Sequence, residues 1–268
     1  MTPEAPEDLV AVLEQGVRPT CVDAAALHGL WTPLVDGVHA FAPRCVEGDP
    51  HGPQLLPIRR RLDPRTGELV LPPEADSRGR PRRRQSLVLH TPSQRAWPDL
   101  EPVPDIGRTL DHAARCLDTV DAAILIESAL NKHVLDSFAL EGLLAGLPHR
   151  FGGPLHRVRS DAQSGTETAV RWWFEQRQVS VRTQVQLLPG VRVDILVGTN
   201  WVIECDSRTF HDDPDQYRED RRRDLALAAL GYRVTRLTWE QVFIDWENTQ
   251  QMLLAMLRRR EHRRPLRA

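Results

Sequence analysis

The sequence is poor in cysteine and lysine and contains no long apolar run. Its cysteines, Cys21, Cys45, Cys116 and Cys205, are scattered and form no C-x-x-C pair. This spacing predicts reduced thiols in a cytosolic protein and argues against a zinc knuckle or a disulfide framework. No apolar stretch approaches the roughly 20 residues of a membrane span, and the N-terminal MTPEAPEDLV lacks the pattern of a signal peptide. We therefore expect a cytoplasmic protein with no membrane partner.

Basic charge is carried almost entirely by arginine, because Lys132 is the only lysine. Residues 151–268 hold 19 arginines against 16 acids, whereas residues 1–150 hold 16 basic residues against 21 acids. The C-terminal part is therefore the better candidate for binding a polyanion such as DNA.

Residues 191–206 have the pattern of a β-hairpin. Two runs rich in β-branched residues, VRVDILV and WVIECD, flank a Gly-Thr-Asn loop at 198–200. Counting back from this loop along both strands places Asp194 opposite Glu204, and the two-residue period of a strand puts Asp206 on the same face.

These acids need a physical explanation. Two carboxylates about 5 Å apart repel by about 3 kcal/mol at an effective dielectric of about 20, whereas a favourable cross-strand pair contributes only about 0.2–1 kcal/mol. Asp194 and Glu204 are therefore expected to share a proton, to contact an arginine or to bind a divalent cation such as Mg²⁺, which prefers oxygen ligands. A solvated face with screened charges is the alternative.

The rest of the chain suggests two domains, an α+β N-terminal domain at residues 1–150 and an α/β domain at 151–268. Amphipathic helices are predicted at Gly107–Leu117, Thr119–Leu130 and Asp136–Leu147, and short strands at Leu55–Ile58, Glu68–Leu71 and Ser86–His90. The segment Pro148–Arg159, rich in glycine and proline, is interpreted as the boundary.

The C-terminal domain begins with a capping box, in which Ser164 caps a helix and Glu167 reaches back to its start. A strand at Val181–Leu188, the hairpin, a helix from Pro214, the strand YRVTRLT and a last helix at Trp239–Arg260 follow. The helical crossover predicts that the last strand is parallel to a neighbour. The expected order is helix, three strands, helix, strand, helix.

The motifs of residues 160–245 together resemble the very-short-patch-repair-type branch of the PD-(D/E)XK nucleases. They are the helix with Glu167, V-D at Asp194, E-C-D at Glu204–Asp206, F-H at His211, and YREDRRRDLALAALGYRVTRLT. The resemblance implies an α/β restriction-endonuclease-like core (α-β-β-β-α-β-α) and hydrolysis of DNA phosphodiesters with Mg²⁺ or Mn²⁺. It points to DNA repair or phage defence.

The resemblance also implies roles for individual residues. Asp194 is by position the first metal-binding acid, Glu204 is the second, and Glu167 matches an acid often found on the first helix. His211 and Asp220 match polar residues beside the site. Three alternatives remain: His211 orders its loop, Glu167 serves only as a cap, and Asp220 belongs to a structural ion network.

Two positions depart from the pattern. Asp206 stands where the core pattern has the lysine that positions water, although this branch tolerates an acid there, and Ser207 stands where glycine is usual. Activity is therefore less firmly implied than fold.

Three arginines share one face of the helix that is predicted to begin at Pro214 and to connect the hairpin to the last strand. Arg218, Arg221 and Arg222 are spaced by three and four residues, and arginine suits bidentate phosphate contact. A solvated helix surface, with the arginines paired to Glu219 and Asp224, is the alternative.

Two segments of the N-terminal domain, TCVDAAALHGLW and GRTLDHAARCLDTVDAAILIESAL, resemble the middle region of AbiEi-type antitoxin-like proteins. The leading hypothesis is a DNA endonuclease. The alternatives are an antitoxin-like DNA-binding regulator that keeps a nuclease fold, and an interaction protein whose acids bind no metal. A homodimer or a toxin–antitoxin partner is left open.

Overall fold

The computed structural model describes residues 5–41, 57–59, 87–90, 101–206, 214–263 and 266, with the backbone alone for residues 206, 214–220 and 261. The predicted strand at Glu68–Leu71, part of the predicted strand at Leu55–Ile58, and His211 lie outside these residues. Among the described residues no helix is long and apolar enough to cross a membrane.

The described residues form a mixed α/β structure with two sheets. It divides into two compact units, Met1–Ser160 and Asp161–Ala268, which we call the N-terminal unit and the C-terminal unit.

The N-terminal unit combines a small sheet with helices. Its elements are α1 (Glu7–Glu14), β1 (Arg18–Pro19), α2 (Cys21–Leu27), β2 (Val38–Phe41), β3 (Leu87–His90), α3 (Ile106–Cys116), α4 (Thr119–Asn131), α5 (Ser137–Gly146) and α6 (His149–Leu155). β2 lies between β1 and β3, antiparallel to β1 and parallel to β3. The three predicted helices are present as α3, α4 and α5, each with an aspartate whose side chain accepts from a first-turn amide.

The segment interpreted as the domain boundary, Pro148–Arg159, is partly helical, because α6 occupies His149–Leu155. α6 begins after Pro148, and a proline suits the start of a helix because no amide is needed there. Gly152 allows the close approach of α6 to α5, because a Cβ at Gly152 would lie 3.0 Å from the carbonyl oxygen of Leu144. Gly152 therefore serves the packing of α6 against α5.

The C-terminal unit places helices around a four-stranded sheet. Its elements are α7 (Gly165–Gln176), β4 (Val181–Leu188), β5 (Val191–Val197), β6 (Trp201–Asp206), α8 (Pro214–Ala229), β7 (Arg233–Thr238), α9 (Trp239–Phe243), α10 (Trp246–Arg258) and a 3₁₀ turn (Glu261–Arg263). The strands lie in the order β4-β5-β6-β7, with β7 parallel to β6 as predicted and the other pairs antiparallel.

The predicted single helix at Trp239–Arg260 is wrong, because two helices occupy this segment. Thr238 and Gln241 form a capping box at the start of α9. The amides of Ile244 and Asp245 both donate to the carbonyl of Glu240 at 2.8 Å. This shared acceptor closes α9 before α10 begins.

Apolar and aromatic contacts hold the sheet in place. Val193, Leu196 and Val202 form one buried cluster with Leu227 of α8. Elsewhere in the unit, Phe174 of α7 meets Trp201 edge-on, with ring centroids 5.5 Å apart.

Candidate active site

The hairpin has the register that its three-residue loop predicts, which brings two acids to matching positions. Val197 pairs with Trp201 across the loop. The antiparallel pairing ends two residues further on, one position before Asp194 and Glu204 would pair. The Oδ2 atom of Asp194 instead accepts a hydrogen bond of 2.8 Å from the amide of Cys205. A side chain thus supplies an acceptor where the strand pairing stops.

The pairing of β5 with β4 is interrupted at the same place. It skips Gln184 and Asp194, although the residues on either side of them are paired. Gln184 has a φ of 51°, a conformation uncommon for residues other than glycine. Val193 also joins the same apolar cluster as Leu196, although strict alternation would place the two on opposite faces. Asp194 therefore lies at an irregularity of β5. The direction of its side chain is not fixed there by the regular alternation of a strand.

Glu167 is buried at the start of α7 and connects this helix to Gln184, where the pairing of β4 with β5 is interrupted. The Oγ atom of Ser164 accepts from the amide of Glu167 at 3.1 Å and donates to its Oε1 atom, also at 3.1 Å. The Oε2 atom accepts from the amide of Gln163 at 3.0 Å and from Nε2 of Gln184 at 2.8 Å. Glu167 therefore has its predicted cap and also contacts β4.

Burial raises the pKa of both Glu167 and Asp194. Burial, followed by the negative charge of Asp194, raises the pKa of Glu167 to about 7. Burial also raises the pKa of Asp194, opposed chiefly by the amide of Cys205 and then by the charge of Arg223. Both carboxyl groups are therefore harder to ionise than in water, chiefly because burial removes solvent from their charged forms.

Glu204 contacts an arginine, which is one of the three arrangements that the repulsion argument allows. Its Oε1 atom lies 2.8 Å from Nη2 of Arg223 on α8, and Arg223 also donates to the carbonyl of Arg192. Arg223 therefore links α8 to β5, and its positive charge compensates the negative charge of Glu204.

The remaining predicted residues lie on β6 and α8 or outside the described residues. Asp206 is the last residue of β6, at the level of Thr238 on β7, and its side chain is not described. Arg218 and Asp220 lie on α8, also without described side chains, and His211 is outside the described residues.

The exposed face of α8 contains an ion pair of the kind expected for a solvated helix. Arg221 and Arg222 are exposed, and Nη1 of Arg221 is 3.7 Å from Oδ2 of Asp224. Asp224 also accepts from Nη2 of Arg236 at 2.6 Å. Phosphate binding by Arg218, Arg221 and Arg222 remains a prediction.

Sequence reasoning did not identify Arg223 or Gln184. Arg223 belongs to the conspicuous run RRRD, but spacing alone cannot say which arginine of the run faces the sheet. Gln184 has no sequence signal, because its role depends on an unusual backbone angle inside an ordinary strand pattern.

A second group of side chains, in the N-terminal unit, corrects the interpretation of the cysteines. Cys21 and Cys116 are free thiols, as predicted, but they are not isolated. Together with His39 and His90 they form, among the side chains that the structure describes, the one group of three or more His, Cys, Asp or Glu residues able to hold a metal ion. Spacing along the sequence missed this group because its members come from four separate elements.

Comparisons with known proteins give little further information. No protein-family model matches the chain, and no curated protein matches it. Among solved structures, the catalytic domain of the homing endonuclease I-Bth0305I is similar to 33% of this chain over 89% of its own length, with 19% sequence identity and a TM-score of 0.28. A TM-score this low carries no argument about the function of this chain.

Proposed function

We propose that the C-terminal unit is a divalent-metal-dependent DNA endonuclease with a restriction-endonuclease-like core. One observation carries the proposal: Asp194 and Glu204 lie where the pairing of β5 with β6 ends, and Glu167 contacts Gln184 at the interruption in the pairing of β4 with β5. Such irregularities cost free energy and persist where the surrounding structure enforces them, commonly at functional sites. The element order agrees with the core that the sequence resemblance implies.

The donor set fits Mg²⁺ or Mn²⁺. Carboxylate oxygens are the ligands that these hard cations prefer, and a bound cation would stabilise the charged forms of Glu167 and Asp194, which burial disfavours. Asp194 and Glu204 would hold the ion, provided that Glu204 releases Arg223. When bound, such an ion polarises a phosphodiester and lowers the pKa of a coordinated water.

The protein's own residues would bind DNA and move protons. Glu167, with a pKa of about 7, exchanges a proton readily at neutral pH, as a general base must. His211 is proposed as an alternative base or as the acid that protonates the leaving oxygen, with Asp206 and Asp220 supporting the site.

The basic side chains would hold the substrate. Once released from Glu204, Arg223 can contact a phosphate, and the exposed Arg221 and Arg222, with Arg218, would extend this contact along the DNA backbone.

A second candidate is a DNA-binding regulator that no longer cleaves. The ion pair between Arg223 and Glu204 neutralises one metal-binding acid without a metal, and Asp206 replaces the lysine that the resemblance leads one to expect. A regulator of this kind would bind DNA, alone or with a toxin partner, without hydrolysing it.

Plasmid nicking tests the two candidates. The full chain is incubated with supercoiled DNA in Mg²⁺, in Mn²⁺ or in EDTA. We expect metal-dependent nicking that falls by about 100-fold or more in Asp194→Asn, because a metal ligand is lost. Asparagine keeps an oxygen that can accept from Cys205, so the fold should survive. Asp245→Asn, a change at an exposed aspartate of the same unit, is the matched control and should retain full activity.

The outcomes separate the candidates. If the wild type cleaves no strand of intact, mismatched or nicked duplexes, the endonuclease proposal is rejected. Salt-dependent DNA binding that persists in Asp194→Asn, without cleavage by the wild type, would favour the regulator.

A further inference from the structure

Four side chains with metal-binding chemistry converge in the N-terminal unit. Cys21 is the first residue of α2, His39 lies on β2, His90 ends β3 and Cys116 ends α3. One ligand atom from each lies within 4.8 Å of the other three. The group combines two sulfur and two nitrogen donors.

Two separations between these donors match tetrahedral coordination of zinc. With Zn–N of about 2.05 Å and Zn–S of about 2.3 Å, tetrahedral angles place two nitrogens about 3.3 Å apart and a nitrogen and a sulfur about 3.6 Å apart. Nδ1 of His39 lies 3.2 Å from Nε2 of His90 and 3.6 Å from Sγ of Cys116. Two of the six separations are therefore already at zinc-ligand spacing, and all six are within 4.8 Å.

Hydrogen bonds around His39 orient its ring as a ligand. Nε2 of His39 lies 3.2 Å from the carbonyl oxygen of Asp36. A carbonyl can only accept, so the proton of the neutral ring belongs on Nε2, and the lone pair of Nδ1 points into the group. Metal-ligating histidines commonly have such a partner on the other ring nitrogen.

A buried ion pair fixes the backbone that carries His39. The amide of His39 donates to Oδ2 of Asp23 at 2.7 Å, and Nη1 of Arg59 lies 3.0 Å from the same oxygen. Asp23 and Arg59 are both buried, and Asp23 is two residues from Cys21. One carboxylate thus links the helix that carries the first cysteine to the strand that carries the first histidine.

His90 is held from the opposite side by an aromatic contact. Its ring stacks on His112 with centroids 5.7 Å apart, and Nδ1 of His112 is 2.6 Å from Oγ1 of Thr20. His112 therefore pairs with Thr20 and packs against His90, and it is not one of the four proposed ligands.

We propose that Cys21, His39, His90 and Cys116 form a structural zinc site. Two thiolates and two imidazoles in tetrahedral spacing favour zinc over the hard cations proposed for the C-terminal unit. Four protein ligands complete a tetrahedral shell, so the role is structural. The ion would join β2 and β3 directly and would link both to α2 and α3, in a unit with only a small sheet.

Metal analysis of the full-length protein tests the proposal. We expect about one zinc per chain after purification without chelator. Replacement by Co²⁺ should give the strong visible bands of a tetrahedral ion together with thiolate-to-cobalt charge transfer. Cys116→Ser is the informative variant, because Cys116 is exposed at the end of α3 and its loss should leave the fold largely intact. We expect its zinc affinity to fall by at least about 100-fold.

Control variants give the result its specificity. Cys205→Ser changes a buried thiol of the C-terminal unit and should keep one zinc per chain. Asp194→Asn should also keep it, so this proposal and the endonuclease proposal can fail separately. Should Cys116→Ser not fold, the wild type offers a second test: removal of zinc should expose Cys116 to rapid alkylation, and zinc addition should protect it.

Three results would overturn the zinc site. They are a wild-type protein that holds no zinc and gives no thiolate charge transfer with Co²⁺, alkylation of Cys116 that zinc does not slow, and a disulfide between Cys21 and Cys116 in freshly purified protein.

Discussion

Replacement of Glu167 by glutamine should change how stability depends on pH. Glu167 has a pKa of about 7 in the folded protein, against 4.5 as its ordinary value. Between these two values the folded state binds more protons than the unfolded state, so stability falls as pH rises through this window. The difference of about 2.5 pH units corresponds to about 3 kcal/mol of stability, present below pH 4.5 and lost above pH 7.

Glutamine removes this titration while keeping the hydrogen bonds. Its oxygen can accept from the amide of Gln163 and from Nε2 of Gln184, and its NH₂ group can donate to Oγ of Ser164. We therefore expect Glu167→Gln to be more stable than the wild type by only about 1 kcal/mol at pH 5 and by about 3 kcal/mol at pH 8.

Urea unfolding at pH 5 and pH 8, in EDTA, measures the effect. Tryptophan fluorescence reports mainly on the C-terminal unit, which holds Trp172 and Trp173 on the same helix as the mutated residue. Glu247→Gln, at an exposed glutamate of the same unit, serves as the control and should follow the wild type at both pH values. A Glu167→Gln variant that loses stability with pH in parallel with the wild type would refute the reasoning.

Two further substitutions probe the hairpin loop and the acid–arginine pair. Gly198→Ala should cost more stability than Gly190→Ala: both glycines have positive φ, which costs about 1–2 kcal/mol for alanine, but only at Gly198 would the new Cβ lie 2.3 Å from the carbonyl oxygen of His262. Equal shifts of the urea midpoint would contradict this. Arg223→Gln should lower the melting temperature in EDTA and should be stabilised more by Mn²⁺ than the wild type, because it frees Glu204. An equal Mn²⁺ shift in both proteins would show that Arg223 does not compete with metal.

Local patterns predicted the hairpin and the start of α7. The register follows from loop length and β-branched runs that lie close together in the sequence, so Val197 meets Trp201 as expected. The cap at Ser164 likewise depends on residues within one helical turn. Both features are set by neighbours in the chain, which is why sequence reasoning reaches them.

Features that depend on distant contacts were missed. His39 and His90 are 51 residues apart, and no spacing rule connects them to the cysteines. The choice of Arg223, rather than its neighbours, as the partner of Glu204 depends on the rotation of α8 about its axis, which is fixed by packing against the sheet. The positive φ of Gln184 is imposed by its surroundings, because glutamine has no preference for it.

The hydrogen bond from Cys205 to Asp194 determines how any mutational scan of this strand should be interpreted. Alanine at position 194 would leave a backbone N–H of β6 without its acceptor, at a cost of about 1–3 kcal/mol if no water replaces it. An alanine variant that lost activity could therefore owe the loss to a loosened sheet instead of altered chemistry. Asparagine is the substitution that removes the charge while leaving the strand intact.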